Sequence, residues 1–196
     1  LREAIRSSDP KLSKFNPLSR ILTFDDFDNG AHGWVELGGN YNGLVTETGV
    51  PLMKMGNMGR GSFITAVFER LNPDTEISPR DFLHHGDLIL NTRNSLELVG
   101  KVARWRSELD KAVFNSNMMR LVPDSAHAGT TAFLNYLLNS ESKLRQIRQR
   151  ATGTTSVAAI YWRDLESLPL LLPPLPEQQK IADILGTWDE ALEKLD

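Results

Sequence analysis

Residues 168–195 restrict the possible folds of this chain strongly, because a proline-rich stretch there runs directly into an amphipathic helix. Pro173, Pro174 and Pro176 lack backbone donors and hold φ at about −65°, so the first part is extended. Pro176 suits the first turn of a helix, where the missing donor would have no partner anyway. The sequence therefore predicts a globular body followed by a rigid, extended proline-rich segment and a projecting helix.

Apolar residues along this predicted helix recur at alternating four- and three-residue steps. They are Ile181, Leu185, Trp188, Leu192 and Leu195, and together we call them the seam. This spacing is typical of the narrow stripe that one helix presents to another in a coiled coil. The pattern therefore predicts a partner helix.

The composition is that of an ordinary globular protein, with 40% hydrophobic and 24% charged residues in a chain of 196. The sequence has no cysteine, which excludes disulfides, thiol nucleophiles and cysteine zinc sites and fits the reducing cytoplasm. No apolar run approaches the roughly 20 residues that cross a bilayer. The net charge is −3, so any nucleic-acid surface must be local. Because the chain begins at Leu1 and stops within the seam, we expect a fragment of a longer protein.

The body divides into a β-rich part, residues 49–122, and a helical part, residues 132–150, in which Ser140 is suited to cap a second helix after a break. A short strand is predicted over 157–162. Strands are predicted over 50–55 and 62–68, with a glycine-rich loop between them at 56–61. The loop has neither the Walker nor the G-x-G-x-x-G spacing, so it does not indicate nucleotide binding.

The second half of the helical part carries four positive charges and no acidic residue between residues 143 and 150. They belong to Lys143, Arg145, Arg148 and Arg150, and a small hydroxyl-rich loop with Thr152 and Thr154 follows. Cations near a helix C-terminus offset the helix dipole, which is one explanation. A basic helix end beside a Thr/Gly/Ser loop also suits a sugar–phosphate backbone, so both interpretations stay open.

Searches for catalytic and metal-binding patterns find little. The acidic run at residues 25–30 resembles part of a calcium loop but lacks its twelfth-position glutamate. His84, His85 and Asp87 could hold a metal in a small hydrolase. However, neighbours in an extended chain point to opposite faces, and no third histidine or cysteine is suitably spaced. Methyltransferase, nuclease and nucleophile-elbow motifs are absent, which indicates recognition rather than chemistry.

Several segments, in the right order, resemble the specificity (S) subunit of type I restriction-modification systems. The resemblance covers residues 48–195, while residues 1–47 match the family pattern poorly. The segments that carry it are 48–58, 86–93 with 99–101, 117–121, 151–156 and, most specifically, the LPPLPEQQKIA string at 172–182.

The resemblance implies an α/β (α+β) fold. Residues 1–175 would form a DNA target recognition domain with a curved, twisted β-sheet and packed helices, and residues 176–196 the start of a coiled-coil-type spacer helix. Such a subunit is not an enzyme; it reads one half of a bipartite target. An alternative is the recognition domain of a single-chain restriction-modification enzyme.

The implied partners are double-stranded DNA, the methyltransferase (M) and restriction (R) subunits, and a second recognition domain or a second copy of this chain through the spacer helix. S-adenosylmethionine, ATP and magnesium would belong to the partner subunits, so no cofactor is expected on this chain.

The candidate DNA-binding residues fall into two sets. Arginine suits guanine and asparagine suits adenine in the major groove, so the expected base-reading set is polar. It comprises Lys54, Asn57, Arg60, Asn91, Arg93, Asn94 and Lys101. The expected backbone-binding set comprises Lys143, Arg145, Arg148, Arg150, Thr152 and Thr154.

Overall fold

A computed structural model describes residues 20–23, 35–44, 46–123 and 130–195 of the chain. Twelve short strands and four α-helices are present in these ranges. The strands are β1 (Arg20–Thr23), β2 (Val35–Leu37), β3 (Pro51–Met53), β4 (Glu69–Arg70), β5 (Leu88–Asn91), β6 (Arg93–Asn94), β7 (Val102–Arg104), β8 (Val113–Phe114), β9 (Met118–Leu121), β10 (Thr152–Gly153), β11 (Ala158–Ala159) and β12 (Pro169–Leu172). The helices are α1 (Thr131–Asn139), α2 (Glu141–Arg148), α3 (Trp162–Leu165) and α4 (Leu175–Glu193).

The largest sheet is antiparallel and has four strands in the order β2-β9-β5-β7. Two three-stranded sheets, β4-β3-β8 and β10-β11-β6, adjoin it. Strands β1 and β12 form a separate antiparallel two-stranded sheet. It joins a strand near the N-terminus to the strand that ends just before Pro173. Sheets and helices are thus mixed, which confirms the predicted α+β class.

Strand β5 is buried on both faces and separates two hydrophobic cores. Because side chains alternate along a strand, Leu88 and Leu90 point to one side and Ile89 to the other. The first pair packs against helices α1 and α2 and strand β12. Ile89 packs in the second core with Trp105, whose ring meets that of Phe63 edge-on at 5.1 Å.

A buried arginine connects the sheet to the loop before β5. The guanidinium of Arg120, on β9, lies 2.8 Å from the Asp87 carboxylate and 2.6 Å from that of Glu36. It also donates to the backbone carbonyls of Arg80 and Phe82. Only 6% of Arg120 is exposed, so these four acceptors replace the water that the charge has lost.

Helices α1 and α2 follow each other with a break at Ser140, as predicted. The Thr130 hydroxyl accepts a hydrogen bond from the Phe133 amide and caps α1. The Ser140 hydroxyl accepts one from the Lys143 amide and caps α2. The predicted second helix with Ser140 at its start is therefore confirmed.

Helix α4 confirms the predicted C-terminal helix. It packs along α1, however, and does not project from the body as the sequence predicted. It begins at Leu175, with Pro176 in its first turn as expected. Gln178 and Ala182 are buried against the body, and the Gln178 amide donates to the Pro173 carbonyl at 2.8 Å. Within the described residues, no helix has the length and apolar character needed to span a membrane.

Three local expectations need correction or lie outside the described ranges. Residues 62–68 do not form a strand; they are a loop, and the strand β4 begins only at Glu69. The strand predicted over 157–162 is limited to β11, because Trp162 already starts α3. The acidic run at 25–30 lies among the residues that the structure does not describe.

Candidate nucleic-acid interface

The sheet β10-β11-β6 brings together two predicted contact residues that are far apart in sequence. Arg93 pairs with Ala159, and Ala159 pairs with Thr152 on its other side. Side chains directly opposite each other share one face of a sheet, so Arg93 and Thr152 flank a small alanine. Both are exposed, and Arg93 makes no ion pair with another described residue. This face therefore offers a free guanidinium beside a hydroxyl.

The hydroxyl-rich loop is a tight turn that packs beside the loop after β6. The Thr154 hydroxyl accepts a hydrogen bond from the Val157 amide, and the Thr154 amide donates to the Val157 carbonyl at 2.8 Å. The Leu96 amide donates to the Thr155 carbonyl at 2.9 Å, which joins the turn to residues 94–98. Asn94 is half-buried and accepts from the Ser95 amide. The side chains of Thr152 and Thr154 stay exposed.

The four cations of the α2 region have different environments. The Lys143 ammonium donates to the Pro169 carbonyl at 2.5 Å; burial, and secondarily the charge of Arg150, lower its pKa. Arg150 donates to the Gln146 carbonyl at 2.9 Å. Arg145 pairs with Glu141 one helical turn away, at 2.9 Å, and 67% of its side chain is exposed. Lys143 thus anchors α2 to β12, and this contact replaces the predicted phosphate contact.

Arg148 and Arg60 approach each other from different parts of the fold. Arg148 donates to the Glu97 carbonyl, and its pKa is lowered first by burial and then by the positive charge of Arg60. Arg60 is exposed and makes no ion pair with another described residue. Both line a cavity of about 440 Å³ together with Arg145.

Two of the predicted base-reading asparagines are internal. Asn57 is 8% exposed; its side chain accepts from the Lys54 amide and donates to the carbonyls of Ile64 and Val67. Asn91 is fully buried and accepts from the Arg93 amide. Neither side chain is exposed enough to reach a base. Instead, Asn57 holds the loop at residues 54–67, and Asn91 holds the turn that leads to Arg93.

The two predicted lysines are also engaged within the protein. The Lys54 ammonium lies 2.6 Å from the Glu69 carboxylate, and both side chains are about one-third exposed. The Lys101 ammonium lies 3.4 Å from the Met58 carbonyl, a weak contact that leaves most of its donors for another partner. Lys101 therefore stays a candidate, while Lys54 has an internal partner.

The proposed metal ligands have other contacts. Asp87 accepts from the Arg120 guanidinium and from the His84 amide, and His85 lies 3.3 Å from the Ser107 hydroxyl. In the ranges that the structure covers, no group of three His, Cys, Asp or Glu side chains is arranged to hold a metal ion. The geometry offers nothing in favour of the hydrolase alternative.

The seam on α4 lies beside the face that packs on α1. Ile181 is partly buried against the body, whereas Trp188 is 66% and Leu192 58% exposed. Ile184 belongs to the same stripe, with 59% exposure, and the heptad spacing overlooked it. Its position three residues after Ile181 was the signal available in the sequence.

The junction between the body and α4 uses residues that the sequence did not single out. The Tyr136 hydroxyl donates to Asp189 at 2.7 Å, and Arg106 lies 3.6 Å from both Asp189 and Glu193. Burial and the hydrogen bond to Asp189 raise the pKa of Tyr136 to about 12. The orientation of the helix on the body thus depends on polar contacts as well as on apolar packing.

We expect this hydrogen bond to stabilise the chain at neutral pH and to be lost in strong alkali. Because the Tyr136 pKa is raised in the folded state, its contribution is full below about pH 10, the unfolded value, and disappears as the pH passes about 12. The difference in the free energy of unfolding between wild type and Tyr136→Phe should shrink across this range in urea titrations. A constant difference would show that the hydrogen bond to Asp189 contributes nothing.

Two families match different parts of this chain, and the larger match is shared by a curated relative. The family described as "Type I restriction modification DNA specificity domain" matches residues 57–196. A second family, described as a domain of unknown function, matches residues 2–58. A type I restriction enzyme MjaX specificity subunit of Methanocaldococcus jannaschii is 29% identical over 107 residues, which are 55% of this chain and 25% of that protein.

Solved structures show the same fold. The S subunit of a type I restriction-modification system from M. genitalium has a TM-score of 0.62 and 23% identity, covering 95% of this chain and 43% of that one. The HsdS subunit of Thermoanaerobacter tengcongensis has a TM-score of 0.52 and 15% identity, covering 99% of this chain and 43% of that one. The chain thus spans less than half the length of each of these relatives.

The predicted resemblance to specificity subunits is confirmed, and the family is defined by DNA specificity rather than by catalysis, in agreement with the prediction that the chain is not an enzyme. The match over residues 57–196 covers more than half of the sequence. The chain belongs to the type I restriction-modification DNA specificity domain family.

Proposed function

We propose that this chain is a target recognition domain that reads one half of a bipartite sequence in double-stranded DNA. The observation that carries the proposal is the surface on which four distant segments meet. The β6 strand, the 153–157 turn, the end of α2 and the loop at residue 60 lie together there and present several arginines and hydroxyls. Within this family, such a surface is suited to a DNA duplex.

The two kinds of DNA contact would come from different parts of this surface. Arg93, exposed and unpaired among the described residues, is the best candidate to reach a base edge. Asn94 follows it in sequence, and the Lys101 carbonyl accepts from the Asn91 amide at 2.9 Å, two residues before Arg93. Thr152 and Thr154 would hydrogen-bond phosphate or sugar oxygens, and Arg145, Arg148 and Arg150 would neutralise phosphates.

In this proposal, α4 begins the spacer that holds the domain at a set distance from the other half-site. Its exposed seam would pair with a second spacer helix, from another recognition domain or from a second copy. The methyltransferase and restriction subunits would assemble on this scaffold in the cytoplasm and bring S-adenosylmethionine, ATP and magnesium. The target base would be flipped by the methyltransferase and not by this chain.

We expect Arg93→Ala to relax the sequence preference without harming the fold. A bidentate arginine contact to guanine is worth about 1–3 kcal/mol of discrimination, and the exposed Arg93 side chain has no ion pair to lose among described residues. When the Arg93→Ala variant is used, with the methyltransferase subunit present, to select bound sequences from random DNA duplexes, one base position of the selected site should lose its preference. Arg163→Ala removes an exposed arginine on α3 and is the matched control.

Two outcomes of the selection would count against this account. An unchanged preference in Arg93→Ala would remove that side chain from base reading. If the wild-type chain enriches no sequence at all, the proposed function itself is wrong.

A further inference from the structure

Three arginines from two separate elements line one cavity beside the proposed DNA surface. Arg145 and Arg148 stand one turn apart on α2, and Arg60 reaches the same cavity from the glycine-rich loop. The buried Leu144 contributes to the wall, and the volume is about 440 Å³. Because three arginines line one cavity, the acidic groups available to balance their charge decide what the cavity can bind.

The positive charges in this cavity are only partly neutralised by the described residues. The lining contains three arginines and one acidic residue, Glu141, which pairs with Arg145 at 2.9 Å. Arg148 donates to a backbone carbonyl, that of Glu97, instead of to a carboxylate. Burial, and after it the positive charge of Arg60, lower the Arg148 pKa, and the Glu97 carboxylate acts in the opposite direction more weakly.

The backbone next to Arg60 is held by several hydrogen bonds. The loop itself is therefore not free to move Arg60 away from Arg148. Gly61, at φ +90°, donates to the Val102 carbonyl at 2.8 Å. Its own carbonyl accepts from the Arg104 amide at 3.3 Å and from the buried Asn135 side chain at 2.9 Å. The tight turn closes with a hydrogen bond from Gly59 to Ser62 at 3.0 Å. The loop therefore presents Arg60 from a fixed position.

We infer that Arg60, Arg145 and Arg148 form a single anion site that takes one backbone phosphate of the DNA. This inference rests on the proposed function for the identity of the ligand. A phosphate entering the cavity would replace the repulsion between Arg60 and Arg148 with charge-assisted hydrogen bonds, for which the guanidinium geometry is well suited. Arg60 thus moves from the predicted base-reading set to the contacts that set register.

The test compares Arg60→Gln with wild type on two duplexes, the selected sequence and a scrambled one, at several salt concentrations. We expect the affinity for both duplexes to fall about tenfold and equally, as for the loss of one charged hydrogen-bonding contact. The slope of log affinity against log salt should decrease by about 0.9, the value for one phosphate. Arg163→Gln, which removes the same charge from α3, should change neither quantity.

A second measurement separates this inference from the proposed function, because it needs no DNA. Inorganic phosphate should raise the thermal midpoint of the wild-type chain and of Arg163→Gln more than that of Arg60→Gln. An equal rise in all three proteins, or a changed base preference in Arg60→Gln, would overturn the inference. If wild type binds no duplex but shows the Arg60-dependent phosphate effect, the anion site stands and the proposed DNA function fails.

Discussion

Replacing Arg120 by alanine will destabilise the chain by about 3–5 kcal/mol, the usual cost of removing one partner of a buried ion pair. Arg120 is 6% exposed, and its guanidinium serves the carboxylates of Asp87 and Glu36 and two backbone carbonyls. The substitution leaves the mostly buried Asp87 carboxylate and the two backbone carbonyls without this donor, whereas Glu36, with 36% of its side chain exposed, can turn to water. The expected loss measures that desolvation and not a large net benefit of the original pair.

Arg145→Ala is the matched control for this prediction. It makes the same chemical change, but Arg145 is 67% exposed and pairs with Glu141 on the surface of one helix. Such pairs contribute about 0.3–0.5 kcal/mol. Urea denaturation of both variants measures the contrast. Losses of similar size would mean that Arg120 is solvated in solution and does not connect β9 to the loop before β5.

If α4 pairs with a second helix as proposed, replacing Trp188 by aspartate will weaken that pairing at least about 100-fold and leave the fold of the chain intact. Large aromatic residues at the centre of an interface commonly contribute 2 kcal/mol or more, or about 30-fold, and a buried carboxylate in its place adds a further cost. In the single chain Trp188 is 66% exposed, so little packing is lost there.

Sedimentation velocity at increasing protein concentration measures the pairing, and circular dichroism checks the fold. Thr187→Asp adds the same charge one residue away, at an exposed position outside the seam, and should pair as wild type does. Equal disruption by both variants would indicate a general charge effect. Undiminished pairing of Trp188→Asp would place the partner helix on another face of α4.

The C-terminal helix could be predicted from the sequence because its determinants are local. Three prolines, a helix-compatible start and apolar residues at regular spacing all lie within residues 173–195. The same holds for Ser140, whose capping role depends only on the next three residues. Family membership was equally accessible, since the string at 172–182 is continuous.

The roles of individual polar residues could not be predicted in this way. Asn57 and Asn91 have the side chains that suit adenine, yet both are buried. The Asn57 amide donates to the carbonyls of Ile64 and Val67, and the Asn91 carboxamide oxygen accepts from the Arg93 amide. Lys143 belongs to a basic run, but its ammonium reaches the carbonyl of Pro169, which is 26 residues away. Residue type indicates what a side chain can bind, and only the folded chain shows which partner reaches it first.

By itself, the sequence determined the α+β class, the two helices joined at Ser140, the C-terminal helix α4 and the family. These features follow from periodicity and from short continuous motifs, which act over a few residues. The tertiary structure alone decided that Arg93 stands across Ala159 from Thr152, and that Arg60 shares a cavity with Arg148. The physical reason is that strand pairing and packing bring together residues that are 59 and 88 positions apart (152 − 93 and 148 − 60), and no local pattern encodes such distances.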